Sequence, residues 1–232
     1  MPALQSRMKK VTNPCIAIQD STHGNPKTVI VTGCGRGGTS AIAGAIHALG
    51  IAMVDDEETS VNFEDYEFTA AGMELELQEK FASPYIQTCQ QIRSVIHRRN
   101  LMNQSWGWKD PYAYHYLRGI IDVCRNPRLI LVTRNPLDTA QSMIKAAHSV
   151  GELLTIENAY DHSLLTLQRI WESAQHCGVP TLLVSFEQAI FTKSQLIADL
   201  ISFLELDPDE TALNRALDFI TPGGGYRTLN NS

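Results

Sequence analysis

The segment TVIVTGCGRGGTS, residues 28–40, constrains the fold more than any other part of the chain, because an apolar run leads directly into a glycine-rich loop. The run TVIVTG is short, continuous and rich in β-branched residues, which is typical of a strand buried on both faces of a parallel sheet. Beyond the glycines, apolar residues recur at helical spacing, at Ile42, Ala45, Ile46 and Leu49. The segment therefore predicts a strand, a glycine loop and a helix in succession.

Three further segments continue the alternation of strand and helix. RLILVT, residues 128–133, predicts a strand, and the helix after it is specified by Asn135 as N-cap and Pro136 at the first helical position. TLLVSF, residues 181–186, predicts another strand before a helical pattern, and WGWK, residues 106–109, predicts a short one. The predicted fold class is therefore α/β, a three-layer α/β/α arrangement with a parallel sheet and right-handed crossovers.

The length of 232 residues suits one α/β domain. Residues 1–26 mix Pro, Asn, Ser, Thr and Gly without sustained periodicity, so we expect a flexible N-terminal arm there. Residues 27–232 then form the single domain, with largely helical insertions at about 51–104 and 150–178. Because neither insertion carries a strong strand pattern, we expect them to form a helical cap over the strand ends.

Charge and cysteine content argue against several classes of protein. The net charge is −6 and no long stretch is basic, so we expect no nucleic-acid partner. The five cysteines are scattered without a CxxC pair, which is typical of reduced thiols in a cytoplasmic protein and indicates no metal site. No unbroken apolar run reaches the roughly 18 residues that a spanning helix needs, so we expect no integral membrane segment. The oligomeric state stays open.

The glycine loop departs at one position from the nucleoside-triphosphate loop GxxxxGK[ST]. Gly33 and Gly38 have the right spacing and Ser40 fits the hydroxyl position, but Thr39 stands where the lysine would reach the β- and γ-phosphates. Arg36 is the only cation in the loop. Backbone N–H groups and the positive end of the helix dipole still favour an anion here. The loop therefore predicts a P-loop-like nucleotide-binding core.

The strand RLILVT is followed directly by a cation, at the place where an ATP-cleaving enzyme usually has an acidic residue that holds Mg²⁺. That cation is Arg134. An arginine at the strand end would bind a second phosphate directly rather than a metal. The missing lysine and the missing acid together favour a nucleotide with two separated anionic groups that is handled without metal.

These residues carry a resemblance to the sulfotransferases. GCGRGGTS resembles their 5′-phosphosulfate loop, and VTRNPLDTAQSM is similar to their 3′-phosphate motif RNPxDxxxS, with Arg134, Asn135, Pro136, Asp138 and Ser142 in place. WGWKDP, VNFEDYEF, LLVSFEQAI and LIADLISFLEL resemble supporting elements of the same family, with Phe186 in place of a tyrosine and Glu205 in place of a glycine. The resemblance spans about residues 28–206.

The resemblance implies that the cofactor is 3′-phosphoadenosine 5′-phosphosulfate, that adenosine 3′,5′-bisphosphate is left as product, and that no metal is required. Its loop residues imply that the 5′-phosphosulfate is held by Arg36, Gly37, Gly38, Thr39 and Ser40. Arg134 and Ser142 are implied at the 3′-phosphate, where charge-assisted contacts are strong. Arg227, in GGGYRT, stands roughly where the family brings a C-terminal arginine to that phosphate.

Transfer of a sulfonyl group to an acceptor builds charge on the bridging oxygen, and positioned cations lower that barrier. Arg36 and Lys109 are the candidate cations, and Glu64 in NFED is the candidate base for the acceptor hydroxyl. Asp65 and Asp110 are the alternatives for the base. A cluster of aromatic residues is interpreted as core or, alternatively, as an acceptor pocket: Trp106, Trp108, Tyr112, Tyr114 and Tyr116.

The predicted function is therefore transfer of a sulfonate to a hydroxyl or amine acceptor, and two alternatives remain. One is a degenerate P-loop kinase or NTPase, which would need a substitute for the lysine and a metal ligand. The other is a non-catalytic nucleotide-binding module, which would not need Glu64 or Lys109 near the nucleotide. The acceptor stays open among carbohydrates, lipids, phenols, peptide tyrosines and other small molecules.

Overall fold

The computed structural model describes residues 14–18, 24–54, 62–78 and 85–220. Within these ranges one sheet contains five strands in the order β1-β5-β4-β2-β3. The strands are β1 (Cys15–Ile18), β2 (Thr28–Gly33), β3 (Trp106–Lys109), β4 (Arg128–Thr133) and β5 (Thr181–Ser185). Strands β2 to β5 pair in parallel and β1 pairs antiparallel with β5. The predicted α/β class and the predicted strands at 28–33, 106–109 and 128–133 are confirmed.

Helices connect and cover the strands. They are α1 (Thr39–Ala48), α2 (Tyr66–Gln78), α3 (Tyr85–Met102), α4 (Leu117–Ile120), α5 (Pro136–Ser149), α6 (Ile156–Cys177), α7 (Phe186–Phe191), α8 (Lys193–Leu204) and α9 (Glu210–Phe219). Two short 3₁₀ turns lie at Ala113–His115 and Ile121–Val123. Among the helices of the described ranges, none has the length and apolar character required to cross a membrane.

The sheet has a separate hydrophobic core on each face. Alternate residues of a strand point to opposite faces, so Val29 and Val31 of β2 pack with α1, α8 and α9, whereas Ile30 packs with α2, α3, α4 and α6. The same alternation separates Ile130 from Leu131 along β4. Because both faces of the sheet are covered by helices, consecutive residues of β2 and β4 are buried, and these strands appear in the sequence as unbroken apolar runs. The two cores confirm the three-layer arrangement.

Strand β1 lies within the range that sequence analysis assigns to a flexible arm. Its four residues pair with β5 from Cys15↔Val184 to Ile18↔Thr181, and the Ser185 N–H donates to the Pro14 carbonyl at 2.9 Å. Residues 1–13 and 19–23 of the predicted arm lie outside the described residues. A four-residue edge strand carries almost no periodicity of its own; it forms because β5 offers an unpaired row of backbone N–H and C=O groups.

The start of α5 follows its sequence signals. The Asn135 side chain accepts hydrogen bonds from the N–H groups of Leu137 and Asp138, and Pro136 occupies the first helical turn. The predicted N-cap is confirmed. Because the cap fixes the first turn directly after β4, it also fixes the place of Arg134 between the strand and the helix.

Shortening a side chain between the sheet and α1 should destabilise the whole fold. Ile46 is fully buried in the core on that face. We expect Ile46→Ala to lower the free energy of unfolding by about 2–5 kcal/mol, because the lost methyl groups leave a cavity. Urea denaturation of the purified chain measures this change.

The matched control is Leu101→Ala, because Leu101 is 90% exposed on α3. Its effect should stay within about 0.5 kcal/mol. Equal losses of stability in the two variants would contradict the burial of Ile46.

Candidate functional site

The floor of the site is the carboxyl edge of the parallel sheet, where four adjacent strands end. In the order of the sheet, β5 leads to Phe186, β4 to Arg134, β2 to the glycine loop, and β3 ends at Lys109. Neighbouring strands lie about 4.8 Å apart, so the ends of β4 and β3, on either side of β2, are about 10 Å apart. Ligands of open parallel sheets bind at this edge.

The glycine loop turns tightly between β2 and α1. The Gly37 N–H donates to the Cys34 carbonyl at 2.8 Å, and a Cβ on Gly37 would lie 2.6 Å from that oxygen. Gly38 has φ 93°, and a Cβ there would lie 2.2 Å from the Phe186 ring. Helix α1 then begins at Thr39 without a side-chain cap. The loop therefore needs glycine for its turn and its close approach, and the N-terminus of α1 lies at the cavity.

Arg36, Ser142 and Arg134 form one connected group. The Arg36 Nε donates to the Ser142 Oγ at 3.2 Å, and an Arg134 N–H donates to the Arg36 carbonyl at 3.0 Å. The Arg134 guanidinium carbon lies 5.7 Å from the Phe186 ring centroid. Burial lowers the pKa of Arg36, and the nearby charge of Arg134 lowers it further. Two cations held together in a partly buried site favour an anion between or beside them.

Lys109 and Glu64 form an ion pair beside the glycine loop. The distance from Nζ to Oε1 is 2.5 Å, and the side chains are 1% and 38% exposed. A backbone bridge between the two residues fixes their register. Burial lowers the pKa of Lys109, while the charges of Glu64 and Asp110 oppose that effect. The structure thus brings the candidate base and one candidate cation into contact.

The two alternative bases lie behind this pair and are occupied by other partners. The buried Asp65 carboxylate pairs with the buried guanidinium of Arg99. Asp110 is fully buried and accepts hydrogen bonds from the Tyr112 N–H at 2.9 Å and the Tyr116 hydroxyl at 2.6 Å. Burial raises the pKa of Asp110 to about 7, and these hydrogen bonds oppose the rise. Of the three candidates, Glu64 alone is among the described residues that line the cavity.

A cavity of about 670 Å³ covers these strand ends, a size typical of ligand sites. It brings together most of the predicted site residues: Arg36, Gly38, Thr39, Ser40, Glu64, Lys109, Arg134 and Ser142. Gly37 is buried in the turn and is not among the lining residues. Arg227 lies outside the described residues, so its role stays a prediction.

Sequence reasoning expected a helical cap over the strand ends but did not identify the residues with which helices line the cavity. Thr69 and Met73 come from α2, Met143 from α5, and His162 and Thr166 from α6. Met143 directly follows the RNPxDxxxS motif, but the others belong to no motif. The only available signal for them was the four-residue spacing of His162 and Thr166, which places these two on one helix face. Across residues 14–18, 24–54, 62–78 and 85–220, no cluster of three or more His, Cys, Asp or Glu side chains is arranged to hold a metal ion.

Two solved structures share this architecture. The sulfotransferase domain from the curacin biosynthetic pathway aligns with a TM-score of 0.50 at 15% identity, over 86% of this chain and 81% of that domain. The sulfotransferase STF1 from Mycobacterium tuberculosis H37Rv aligns with a TM-score of 0.50 at 13% identity, over 88% of this chain and 73% of that protein. These two similarities show that the chain has the sulfotransferase fold.

A third structure, the sulfotransferase domain from the Synechococcus PCC 7002 olefin synthase, aligns with a TM-score of 0.48 at 15% identity, over 88% of this chain and 84% of that domain. No protein-family model and no curated protein matches the sequence.

The burial of Asp110 should make the stability of the fold depend on pH. Because its pKa of about 7 in the folded chain exceeds the ordinary value of 3.8, the folded chain binds a proton that the unfolded chain has released. The resulting stabilisation is present at acid pH and is lost as the pH rises through 7. We expect the melting temperature of the native chain to fall more between pH 5 and pH 8 than that of Asp110→Asn, measured by thermal unfolding.

Asp207→Asn is the control for this measurement, because Asp207 is an exposed carboxylate. Its melting temperature should follow that of the native chain across the same range of pH. Parallel curves for the native chain and Asp110→Asn would show that Asp110 does not titrate as its burial implies.

Proposed function

We propose that the chain is a sulfotransferase that moves the sulfonate of 3′-phosphoadenosine 5′-phosphosulfate to a hydroxyl or amine acceptor. The observation that carries the proposal is that one cavity joins Arg36 and Arg134 with the Lys109–Glu64 pair. The sulfotransferase fold supports it. A cytoplasmic location and a single domain are part of the same proposal, as sequence analysis expects.

The described residues fit such a donor through hydrogen-bond donors that follow two neighbouring strands, β2 and β4. Arg36, Thr39 and Ser40 lie with the N-terminus of α1 at the end of β2, where backbone N–H groups favour a phosphosulfate. Arg134 lies after the end of β4 and Ser142 in the second turn of α5, where they would bind the 3′-phosphate. The like charges of Arg36 and Arg134 are close enough to lower the pKa of Arg36, and a doubly anionic nucleotide would relieve that repulsion.

The transfer is an in-line displacement at sulfur. The acceptor oxygen forms a bond to sulfur, the bond from sulfur to the bridging oxygen breaks, and that oxygen leaves with the electron pair as part of the bisphosphate. The acceptor proton passes to a base, so a hydroxyl acceptor and the donor give a sulfate ester, adenosine 3′,5′-bisphosphate and one proton.

Glu64 and Lys109 suit the two ends of this displacement. The carboxylate of Glu64 is partly exposed to the cavity and can accept the acceptor proton. Lys109 has three N–H donors, so its ammonium can bind Glu64 and also stabilise charge on the leaving oxygen. The position of both residues in the cavity favours an enzyme over a non-catalytic nucleotide-binding module.

A degenerate P-loop kinase or NTPase would need other residues at two positions. Thr39 occupies the lysine position of the loop, and Arg134 follows β4 where a metal-binding acid is usual. Turnover of ATP that depends on Mg²⁺ would favour that alternative, and a preference for ATP over adenosine 3′,5′-bisphosphate in a binding titration would overturn the sulfotransferase proposal.

Removing the Arg134 side chain should weaken binding of the 3′-phosphate specifically. We expect Arg134→Ala to weaken binding of adenosine 3′,5′-bisphosphate by about 10- to 100-fold, since a hydrogen bond to a charged group is lost. Binding of adenosine 5′-monophosphate should change by less than about threefold, because that nucleotide lacks the 3′ charge. Isothermal titration calorimetry with both nucleotides measures the difference.

Lys145→Ala is the control, because it removes an exposed cation from α5 outside the cavity lining. Both nucleotides should bind this variant as they bind the native chain. Equal weakening of the two nucleotides in Arg134→Ala would refute the assignment of Arg134 to the 3′-phosphate.

Replacing Glu64 by glutamine should slow turnover without loss of donor binding. We expect Glu64→Gln to lower kcat by about 10²- to 10⁴-fold, the range for loss of a general base. The affinity for adenosine 3′,5′-bisphosphate should stay within about threefold, because the amide can still accept a hydrogen bond from Lys109. Turnover is followed as radiolabelled sulfonate transferred from the donor to an acceptor found by screening.

Glu67→Gln provides the comparison, since Glu67 pairs with Arg98 and Arg99 and is not among the cavity residues. This variant should keep its kcat. A normal kcat in Glu64→Gln would exclude Glu64 as the base, and the same measurement on Asp65→Asn and Asp110→Asn would then compare the remaining candidates.

A further inference from the structure

The wall of the cavity beside the Lys109–Glu64 pair comes from three elements that pack together. Helix α2 supplies Thr69 and Met73, the segment after β3 supplies Pro111 and Tyr112, and α6 supplies His162 and Thr166. A Cβ on Gly72 of α2 would lie only 2.6 Å from the Tyr112 Cβ, so α2 and that segment are in close contact. Since β3 is the edge strand on the far side of β2 from β4, the part of the wall that follows β3 lies away from Arg134. Helix α6 instead packs against α5, where the Ser163 hydroxyl donates to the Pro136 carbonyl at 3.2 Å.

This wall differs from the nucleotide end of the cavity in its charge. Arg36 and Arg134 give the nucleotide end two cations. On the wall from α2, residues 111–114 and α6, the described lining residues include no Asp, Glu, Lys or Arg, and the one imidazole, His162, is exposed. Lys109 and Glu64 beside this wall pair with each other at 2.5 Å, and Glu76, which is not a lining residue, accepts from the Tyr114 hydroxyl at 2.6 Å. A charged acceptor would find no counter-ion among the described lining residues of this wall.

Two hydroxyl groups of this wall have no hydrogen-bond partner among the described residues. Thr69 is 8% exposed, and its Oγ1 is buried without a partner. The Tyr112 hydroxyl likewise donates to no described residue, whereas the hydroxyls of Tyr114 and Tyr116 donate to Glu76 and Asp110 at 2.6 Å. Buried polar groups nearly always have hydrogen-bond partners. The Thr69 hydroxyl lies in the lining of a cavity without one, which indicates that a ligand atom supplies its hydrogen bond.

We infer that the acceptor is an uncharged, mainly apolar alcohol or phenol, and that the hydroxyls of Thr69 and Tyr112 orient it for Glu64. The inference rests on the proposed function and adds the chemical class of the acceptor. Met73 and Pro111 provide the apolar contact, and the acceptor hydroxyl lies between the Thr69–Tyr112 pair and the Glu64 carboxylate.

A carbohydrate and an acidic peptide fit this wall poorly. A sugar would bury several hydroxyls, and each one left without a partner lowers the affinity. The described wall offers few polar atoms for them, because the Thr166 hydroxyl already lies 3.4 Å from the His162 Nε2. An acidic peptide would place carboxylates beside Glu64 with no cation on the wall to compensate.

The test measures binding of 2-naphthol to the chain saturated with adenosine 3′,5′-bisphosphate, by the fluorescence of the naphthol. We expect saturable binding of 2-naphthol, and no displacement of it by N-acetylglucosamine or by an acidic tyrosine peptide. Thr69→Val keeps the shape of the side chain but removes its hydroxyl, and should weaken 2-naphthol about five- to tenfold. Met73→Asp places a charge on the apolar wall and should weaken it by more than about tenfold.

Thr139→Val is the matched control. Thr139 is also a buried threonine, 1% exposed, whose Oγ1 has no partner among the described residues, but it lies on α5 outside the cavity lining. This variant should bind 2-naphthol as the native chain does. Bisphosphate affinity, measured in every variant, shows that each one is folded and retains the nucleotide end of the cavity.

The outcomes separate this inference from the function on which it rests. Failure of the native chain to bind the bisphosphate overturns the proposed function and the acceptor class with it. Normal bisphosphate binding without 2-naphthol binding, or with stronger binding of the sugar or the peptide, overturns the acceptor class alone. So does 2-naphthol binding that Thr69→Val and Met73→Asp leave unchanged.

Discussion

The parallel pairing of β2 with β3 on one side and β4 on the other is the constraint on which the site depends. The pairs Val31↔Lys109 and Gly33↔Val132 set the register, and both pairings end at the same edge of the sheet. Parallel strands must all present their carboxyl ends on one side, so residues far apart in sequence meet there. A shift of one residue in either pairing would turn the neighbouring strand's side chains to the opposite face. The two buried cores prevent that shift, because each face of the sheet is apolar and covered by helices. The packing of the core thus determines where Lys109 and Arg134 stand.

Buried polar groups behind the cavity hold Lys109 in place. The Trp108 Nε1–H donates to the Tyr116 hydroxyl at 3.1 Å, and that hydroxyl donates in turn to Asp110. Lys109 lies between Trp108 and Asp110 in the chain, so both of its neighbours are anchored in the core. Charged groups that are buried with complete hydrogen bonding are strongly oriented, and the same burial raises the pKa of Asp110 to about 7. Burial removes these groups from water, which costs free energy. The same burial keeps the residues that face the cavity rigid.

Sequence reasoning located the floor of the site but only part of its wall, and the difference has a physical cause. Strands buried on both faces leave continuous apolar runs, and the glycine loop and the Asn135 cap mark the points where those runs end. Thr69 and His162 lie on helices. The sequence pattern of a helix indicates which face is apolar, but it does not indicate the direction in which each polar residue points. Strand β1 was not predicted, because its pairing with β5, rather than its own sequence pattern, determines that it forms a strand. Glu205 shows a further limit: it adopts φ 52° at the end of α8, in a position where the resembling motif has a glycine.

The contact between Arg134 and the glycine loop joins the two ends of the proposed nucleotide site into one unit. Arg36 adopts φ 67°, a left-handed conformation that costs a residue with a side chain roughly 1–2 kcal/mol. The Arg134 guanidinium binds the carbonyl of this same residue, and Ser142 accepts from its side chain. The strained turn is therefore stabilised by the residues proposed for the other phosphate. One side-chain and one backbone hydrogen bond thus connect the loop to the residues proposed for the second anion. Arg36 is the cation of a loop that lacks the lysine of GxxxxGK[ST], and its hydrogen bonds with Ser142 and Arg134 connect the loop to α5 and to the end of β4.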